Sequence, residues 1–257
     1  MIVGGIYIWL TYKPSGRAVD LAPAISSFTG ETELIIKQTG VDQTSYGAVK
    51  QYYANLANGD QAYFNVDENG TVTSFFRANQ PNGEVRISVE RARKTAMDFA
   101  TARYPDLSWL DTVQPSENLT GTDGSSNRFY SLRWIRQDPK SGAILPQMLK
   151  IEVNAQTGQV DRCSMLNEPV TVSTMPTIDQ QTAIQTALSV LPETPAFEVA
   201  EVLLTVTTIP IYEPNGQQAL VWRITVTAKP DKTGYVAGAV IFIDAQTGNV
   251  LLVDSFA

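Results

Sequence analysis

The chain has 257 residues, a formal charge of −7, no histidine and a single cysteine. Without histidine there is no Ser-His-Asp or Cys-His nucleophile pair, no histidine-ligated metal and no imidazole base, and Cys163 alone makes neither an internal disulfide nor a cysteine metal cluster. An acidic chain repels a phosphate backbone, so nucleic acid is not an expected partner, while 43% apolar and 18% charged residues argue for a folded protein.

Residues 1–12 read Met-Ile-Val-Gly-Gly-Ile-Tyr-Ile-Trp-Leu-Thr-Tyr, without charge, and Lys13-Pro14-Ser15-Gly16 follows. A spanning helix needs about 20 apolar residues, so this is roughly half of one. It lacks the basic region and small-residue cleavage site of a signal peptide. Two readings stay open: the tail of a truncated membrane anchor, with Trp9, Tyr12 and Lys13 at the interface, or a buried first strand or helix. The first is favoured, so membrane contact is expected through residues 1–12.

Residues 17–80 read as a divergent α+β module. Tyr46 to Ala57 is its expected helix, capped by Ser45 or Thr44. Tyr63-Phe-Asn-Val-Asp-Glu-Asn-Gly-Thr-Val72 is a strand, a turn and a strand. Within it, Asn65, Asp67, Asn69 and Gly70 match the start of a calcium loop, but Phe76 stands where the closing glutamate should be, and a hairpin turn is the preferred reading.

Residues 81–168 and 169–257 form the clear repeat. Ile87-Ser88 precedes Ala92 and Ala96; Ile178-Asp179 precedes Ala183 and Ala187. Ser88 and Asp179 stand where helix N-caps belong, and Ile87 and Ile178 can pack on the first turn. Ala92, Ala96, Phe99 and Ala100 share one helical face, away from Arg91, Lys94, Asp98 and Arg103. Tyr104-Pro105 and Leu191-Pro192 end the helices. A tryptophan-bearing strand follows in each copy, at Tyr130–Ile135 and Ala219–Val226, which makes Trp134 and Trp222 counterparts. In the second, Leu220, Trp222, Ile224 and Val226 alternate with Val221, Arg223, Thr225 and Thr227, and Asn215-Gly216 signals a hairpin before it.

Each copy closes on a turn: Ile151-Glu-Val-Asn-Ala-Gln-Thr-Gly-Gln-Val160 and Ile241-Phe-Ile-Asp-Ala-Gln-Thr-Gly-Asn-Val250. Glycine supplies the positive φ of a tight turn, and the Asn or Asp ahead of it can bond its own backbone to start one. The expected fold class is therefore α+β, in tandem modules of one helix on a three- or four-stranded antiparallel sheet.

The signature Ile-Ser/Asp-x3-Ala-x3-Ala, followed by Val/Ile-Asn/Asp-Ala-Gln-Thr-Gly-x-Val, resembles the PepSY domain and the related YcdB/YcdC-type repeats over about residues 86–165 and 177–255. The resemblance implies a cystatin-like fold, an extracytoplasmic cell-envelope location and a role in inhibiting or modulating peptidases. It carries no catalytic residues across.

No catalytic, cofactor-binding or metal-ligating residue is therefore expected, and no cofactor. Cys163 reads as a packing residue, Trp134 and Trp222 as core ahead of binding platforms, and Arg133, Arg136 and Arg223 as cover for a solvated sheet face. Asp67-Glu68 shows no partner constellation. Three functions compete in this order: a non-catalytic envelope protein that binds protein or peptide and modulates a peptidase; a structural or assembly module pairing through sheet edges; and a histidine-free carboxylate enzyme.

Overall fold

In the computed structural model, the residues described are 22–31, 34–44, 47–78, 84–113, 115–120, 128–192, 196–209, 216–228 and 237–256. Among them a helix is followed by four strands three times over. α1 (Ala22–Thr29) precedes β1 (Ile35–Thr44), β2 (Gly47–Asn55), β3 (Gln61–Asp67) and β4 (Val72–Arg77). α2 (Val89–Arg103) and a 3-10 turn at Ser108–Thr112 precede β5 (Ser116–Thr120), β6 (Phe129–Gln137), β7 (Ile144–Asn154) and β8 (Val160–Asn167). α3 (Gln180–Ser189) precedes β9 (Phe197–Ile209), β10 (Gln217–Ala228), β11 (Gly238–Asp244) and β12 (Val250–Phe256). Residues 1–12, with the anchor reading, and Asn215 of the hairpin signal lie outside the described residues; no described helix is long and apolar enough to cross a membrane.

The second and third helices start as their sequences dictate. Ser88 Oγ accepts from the Arg91 amide at 3.3 Å, and Asp179 Oδ1 from the Thr182 amide at 2.8 Å. Each supplies an acceptor to an amide that has no partner within the first turn. Ala92, Ala96 and Ala100 are fully buried under α2, as are Ala183 and Ala187 under α3, so small side chains let both helices lie close to the strands. The helices stop at Arg103 and Ser189, ahead of the two prolines.

The expectation of separate tandem cystatin-like modules, each with its own small sheet, is overturned. The strands form one twelve-stranded mixed sheet in the order β1-β2-β3-β4-β8-β7-β9-β10-β11-β12, with β6 and β5 branching from β7. Every described pairing is antiparallel except one: β9 meets β7 in parallel at Ile144 and Thr205, beyond the point where β8 leaves the ladder. The physical reason lies in the core. One apolar cluster takes Ile25 and Phe28 from α1, Phe64 and Phe75 from β3 and β4, the α2 alanines, and Trp134, Leu149, Ile151 and Cys163 from β6, β7 and β8. Neither half could bury these side chains alone, and a core of one small unit is marginal. A second cluster lies beneath α3, and a third, of Ala143, Leu145, Leu204, Val206, Leu220 and Ala245, seals the junction of β7 with β9.

The helix expected over Tyr46–Ala57 is also corrected. Residues 47–55 are β2, a central strand between β1 and β3. Its residues Tyr52 and Ala54 are buried in the core that α1 covers, and Val49 is buried on the other side of the strand; the helix of this part of the chain is α1, upstream.

Candidate binding surfaces

The repeated turns are built alike. Asn154 Oδ1 accepts from the Gln156 and Thr157 amides at 2.9 and 3.0 Å; Asp244 Oδ1 accepts from those of Gln246 and Thr247 at 2.7 and 2.9 Å. Gly158 and Gly248 close the turns at φ 77° and 78°. The Ala155 carbonyl accepts from the Arg86 and Ile87 amides, and the Ala245 carbonyl from those of Thr177 and Ile178. Each turn thus buttresses the entry to its helix. In the β3–β4 turn, one residue shorter, Asp67 Oδ1 takes the Asn69 and Thr71 amides at 2.9 and 2.8 Å. That is the hairpin-turn reading of the calcium-like stretch.

The matching of Trp134 with Trp222 is corrected. Tyr130 pairs with Val153 and Trp222 with Ile243, each one residue before the turn's Asn or Asp, so the counterpart of Trp222 is Tyr130. The Tyr130 hydroxyl donates to the Ile87 carbonyl at 2.9 Å, and the Trp222 indole N–H to the Ile178 carbonyl at 2.8 Å. Trp134 is fully buried and Trp222 partly so, and both pack into cores. On β10 the alternation does not divide into one buried and one wet side, because Val221, which alternates with Leu220 and Trp222, is fully buried.

Cys163 is buried in β8, 3.4 Å from the Tyr104 hydroxyl. Burial pushes its thiol up to about 12, against smaller opposing effects of the Tyr104 and Phe75 hydrogen bonds. A thiol held protonated is a poor nucleophile. Arg133 and Arg136 are exposed, Arg136 donating to Gln147, and Arg223 pairs with Glu201 at 2.9 Å, as cover for a solvated face.

Two surfaces stand out. One is a cleft of about 610 Å³ between the β2 start, the β3–β4 turn, the C-terminal end of α2 and the end of β8. Asp67, Glu68, Asp106 and Glu168 line it, with Arg103 as its basic residue. Arg103 directs its guanidinium to the Ser27 and Thr29 carbonyls at the end of α1, both at 3.3 Å. Burial, and secondarily the Asp67 charge, hold the Glu168 carboxyl above its usual range. The structure thus gives Asp67-Glu68 the carboxylate neighbours that sequence reading lacked. Asp106 and Glu168 escaped notice because no spacing rule links four segments so far apart in the chain.

The other surface is the outer edge of β12. Val250, Val253 and Phe256 are 36%, 40% and 42% exposed along it, and among the described residues no strand pairs with that edge. The remaining edges are blunted. β1 exposes Ile35 and Val41 but breaks register between Gln38 and Gly40 and carries Lys37 and Asp42, and β5 has five residues with Glu117 held by Arg93.

The described residues therefore define a mostly β protein whose mixed sheet carries three helices, an acid-lined cleft and an open strand edge. Among solved structures it is similar to the Bacillus megaterium YpeB C-terminal domain, at 17% identity and a TM-score of 0.48 over 92% of this chain and 96% of that one. It is also similar to an uncharacterized protein from Eubacterium rectale ATCC 33656, at 12% identity and a TM-score of 0.47 over 90% and 80% of the two chains. No protein-family model and no curated protein matches the chain.

Proposed function

We propose that this is a non-catalytic, extracytoplasmic binding protein with PepSY-type repeats, which holds a protein or peptide partner and modulates a peptidase. The observation that carries the binding reading is the cleft. Its volume, about 610 Å³, lies in the range of sites that hold a ligand or a few residues of a chain. Four carboxylates line it, and its arginine is engaged with α1 carbonyls, so its charge fits a lysine- or arginine-bearing segment. The repeated helix-entry and turn signature, with its resemblance to PepSY repeats, supports the location and the peptidase role.

The test is a titration of the protein into fluorescent extended peptides that differ only in carrying lysine or glutamate. The lysine peptide should bind, weaken with added salt, and lose affinity in Glu168→Gln and Asp106→Asn. Equal binding of both peptides, or none, overturns the cleft reading. Adding the protein to a secreted metallopeptidase should change its turnover; unchanged turnover across such enzymes removes the peptidase role.

A further inference from the structure

Strands β4 and β8 join the first two helix-and-strand runs. Ser74 lies opposite Ser164, Phe75 opposite Cys163, and Phe76 opposite Arg162. Both strands leave a repeat turn, and both skip one residue in pairing back: Val72 and Ser74 are partners of Val66 and Asn65, as Val160 and Arg162 are of Val153 and Glu152. On that alignment Ser74, Phe75 and Phe76 are the counterparts of Arg162, Cys163 and Ser164. The join is thus a local twofold, with Phe75 facing its own counterpart at the centre. β12 is the third strand of this kind: Val250 and Leu252 pair with Ile243 and Phe242 with the same skip, so Val253 takes the place of Cys163. Cys163 and Phe75 are 4% and 3% exposed, and Val253 is 40% exposed.

The helices agree. On α2, Met97 and Phe99 pack into the shared core, with the Phe99 ring 5.6 Å from Phe28 of α1. Counted from the caps Ser88 and Asp179, their counterparts are Leu188 and Val190, which are 38% and 45% exposed. The side of α2 that faces α1 across the join thus has a bare equivalent at α3.

We infer that β12 is a self-association edge, on which a second copy of this chain lays its own β12 antiparallel, repeating between molecules the twofold that β4 and β8 make within one. Val253 faces the same residue of the second copy, and Leu252 faces Asp254, as Cys163 faces Phe75 and Arg162 faces Phe76. This register sets no aspartate opposite another and covers the exposed Val253. A twofold normal to the sheet keeps both α3 helices on one face, where Leu188 and Val190 approach the second copy. The inference is independent of the acid-lined cleft, which lies elsewhere on the chain.

Sedimentation across a wide concentration range tests it, with diamide oxidation of variants that each add one cysteine to the buried Cys163. Wild type should form a dimer, and Val253→Lys, which sets like charges face to face, should weaken it by about tenfold or more. Leu188→Lys should weaken it less. Val253→Cys should form a disulfide-linked dimer rapidly, because directly opposed Cα atoms lie about 4.5–5.5 Å apart. Ser255→Cys, two positions off the axis, should not. Wild type that stays monomeric at millimolar concentration, a dimer indifferent to Val253→Lys, or cross-linking as fast at Ser255 as at Val253 overturns the inference. Circular dichroism monitors folding, and the small Val253→Cys change stands as a test if the lysine variant unfolds.

Discussion

The Tyr130 hydroxyl and the Trp222 indole N–H perform the same task in two repeats. Each reaches from the strand beside a repeat turn to the carbonyl of the isoleucine that precedes a helix, at 2.9 Å on Ile87 and 2.8 Å on Ile178. One residue on, Ser88 and Asp179 cap those helices. The aromatic donor therefore ties the cap, the strand and the turn into one unit.

Tyr130→Phe removes that donor while keeping the ring and leaves the Ile87 carbonyl without its tyrosine partner. It should cost about 1–2 kcal/mol. Trp222→Phe loses the donor and part of the packing, and should cost at least as much. Urea unfolding of both variants against wild type, compared through the midpoint at constant slope, measures it.

Gly158→Ala and Gly248→Ala should each destabilise by about 1–2 kcal/mol through backbone strain at positive φ. A clash is not the cause: an added Cβ would stand 3.6 Å from the nearest atom of Ile87 or Ile178. Asparagine, which tolerates this conformation, should cost less than alanine at both positions. Thermal unfolding of the four variants gives the comparison.

The carboxylates predict opposite pH limbs. Hydrogen bonds from the Thr182 amide to Asp179, and from the Ser141 and Lys140 amides to Asp138, hold both carboxyls below their usual range. Their stabilisation is present above the ordinary carboxylate range and is lost as pH falls through the folded-state values. Glu168 runs the other way. Burial, then Asp67, raises its pKa, so it favours the folded state at acid pH, and that contribution is lost as pH rises from the ordinary glutamate value of 4.5 through the raised one. Asp179→Asn should flatten the acid limb of a stability–pH curve, and Glu168→Gln should stabilise the protein near neutrality. A Glu168→Gln variant less stable than wild type at pH 7 would contradict the second expectation.

With its thiol pushed up to about 12, Cys163 should resist alkylation in the native protein at pH 8. The thiolate fraction alone slows it on the order of a thousandfold against a free thiol, and burial slows it further. Labelling followed by mass spectrometry across a urea series should therefore track global unfolding. Rapid labelling in the absence of urea would show that β8 opens locally from β4.

Ala92, Ala96 and Ala100 were legible as a buried face because helical periodicity and a cap at Ser88 act within a few residues. The turns at Gly158 and Gly248 were legible for the same reason. Residues 47–55 were not: Val49, Tyr52, Tyr53 and Leu56 have helical spacing, but the partner strands β1 and β3 make this stretch a strand. Nor was the equivalence of Tyr130 with Trp222, since a one-dimensional match aligns indole with indole, whereas strand register aligns by distance from the turn.

By itself, then, the sequence determined what short-range physics decides: caps, the alanine stripe, the turn chemistry, and the exclusion of histidine-based catalysis. Only the tertiary structure decided that β4 takes β8 as its partner, that the twelve strands share one sheet, and that Asp67, Asp106 and Glu168 line one cleft. Strand pairing and cleft formation join residues far apart in the chain. Their free energy depends on which edges and apolar faces meet in space, and no local pattern records that.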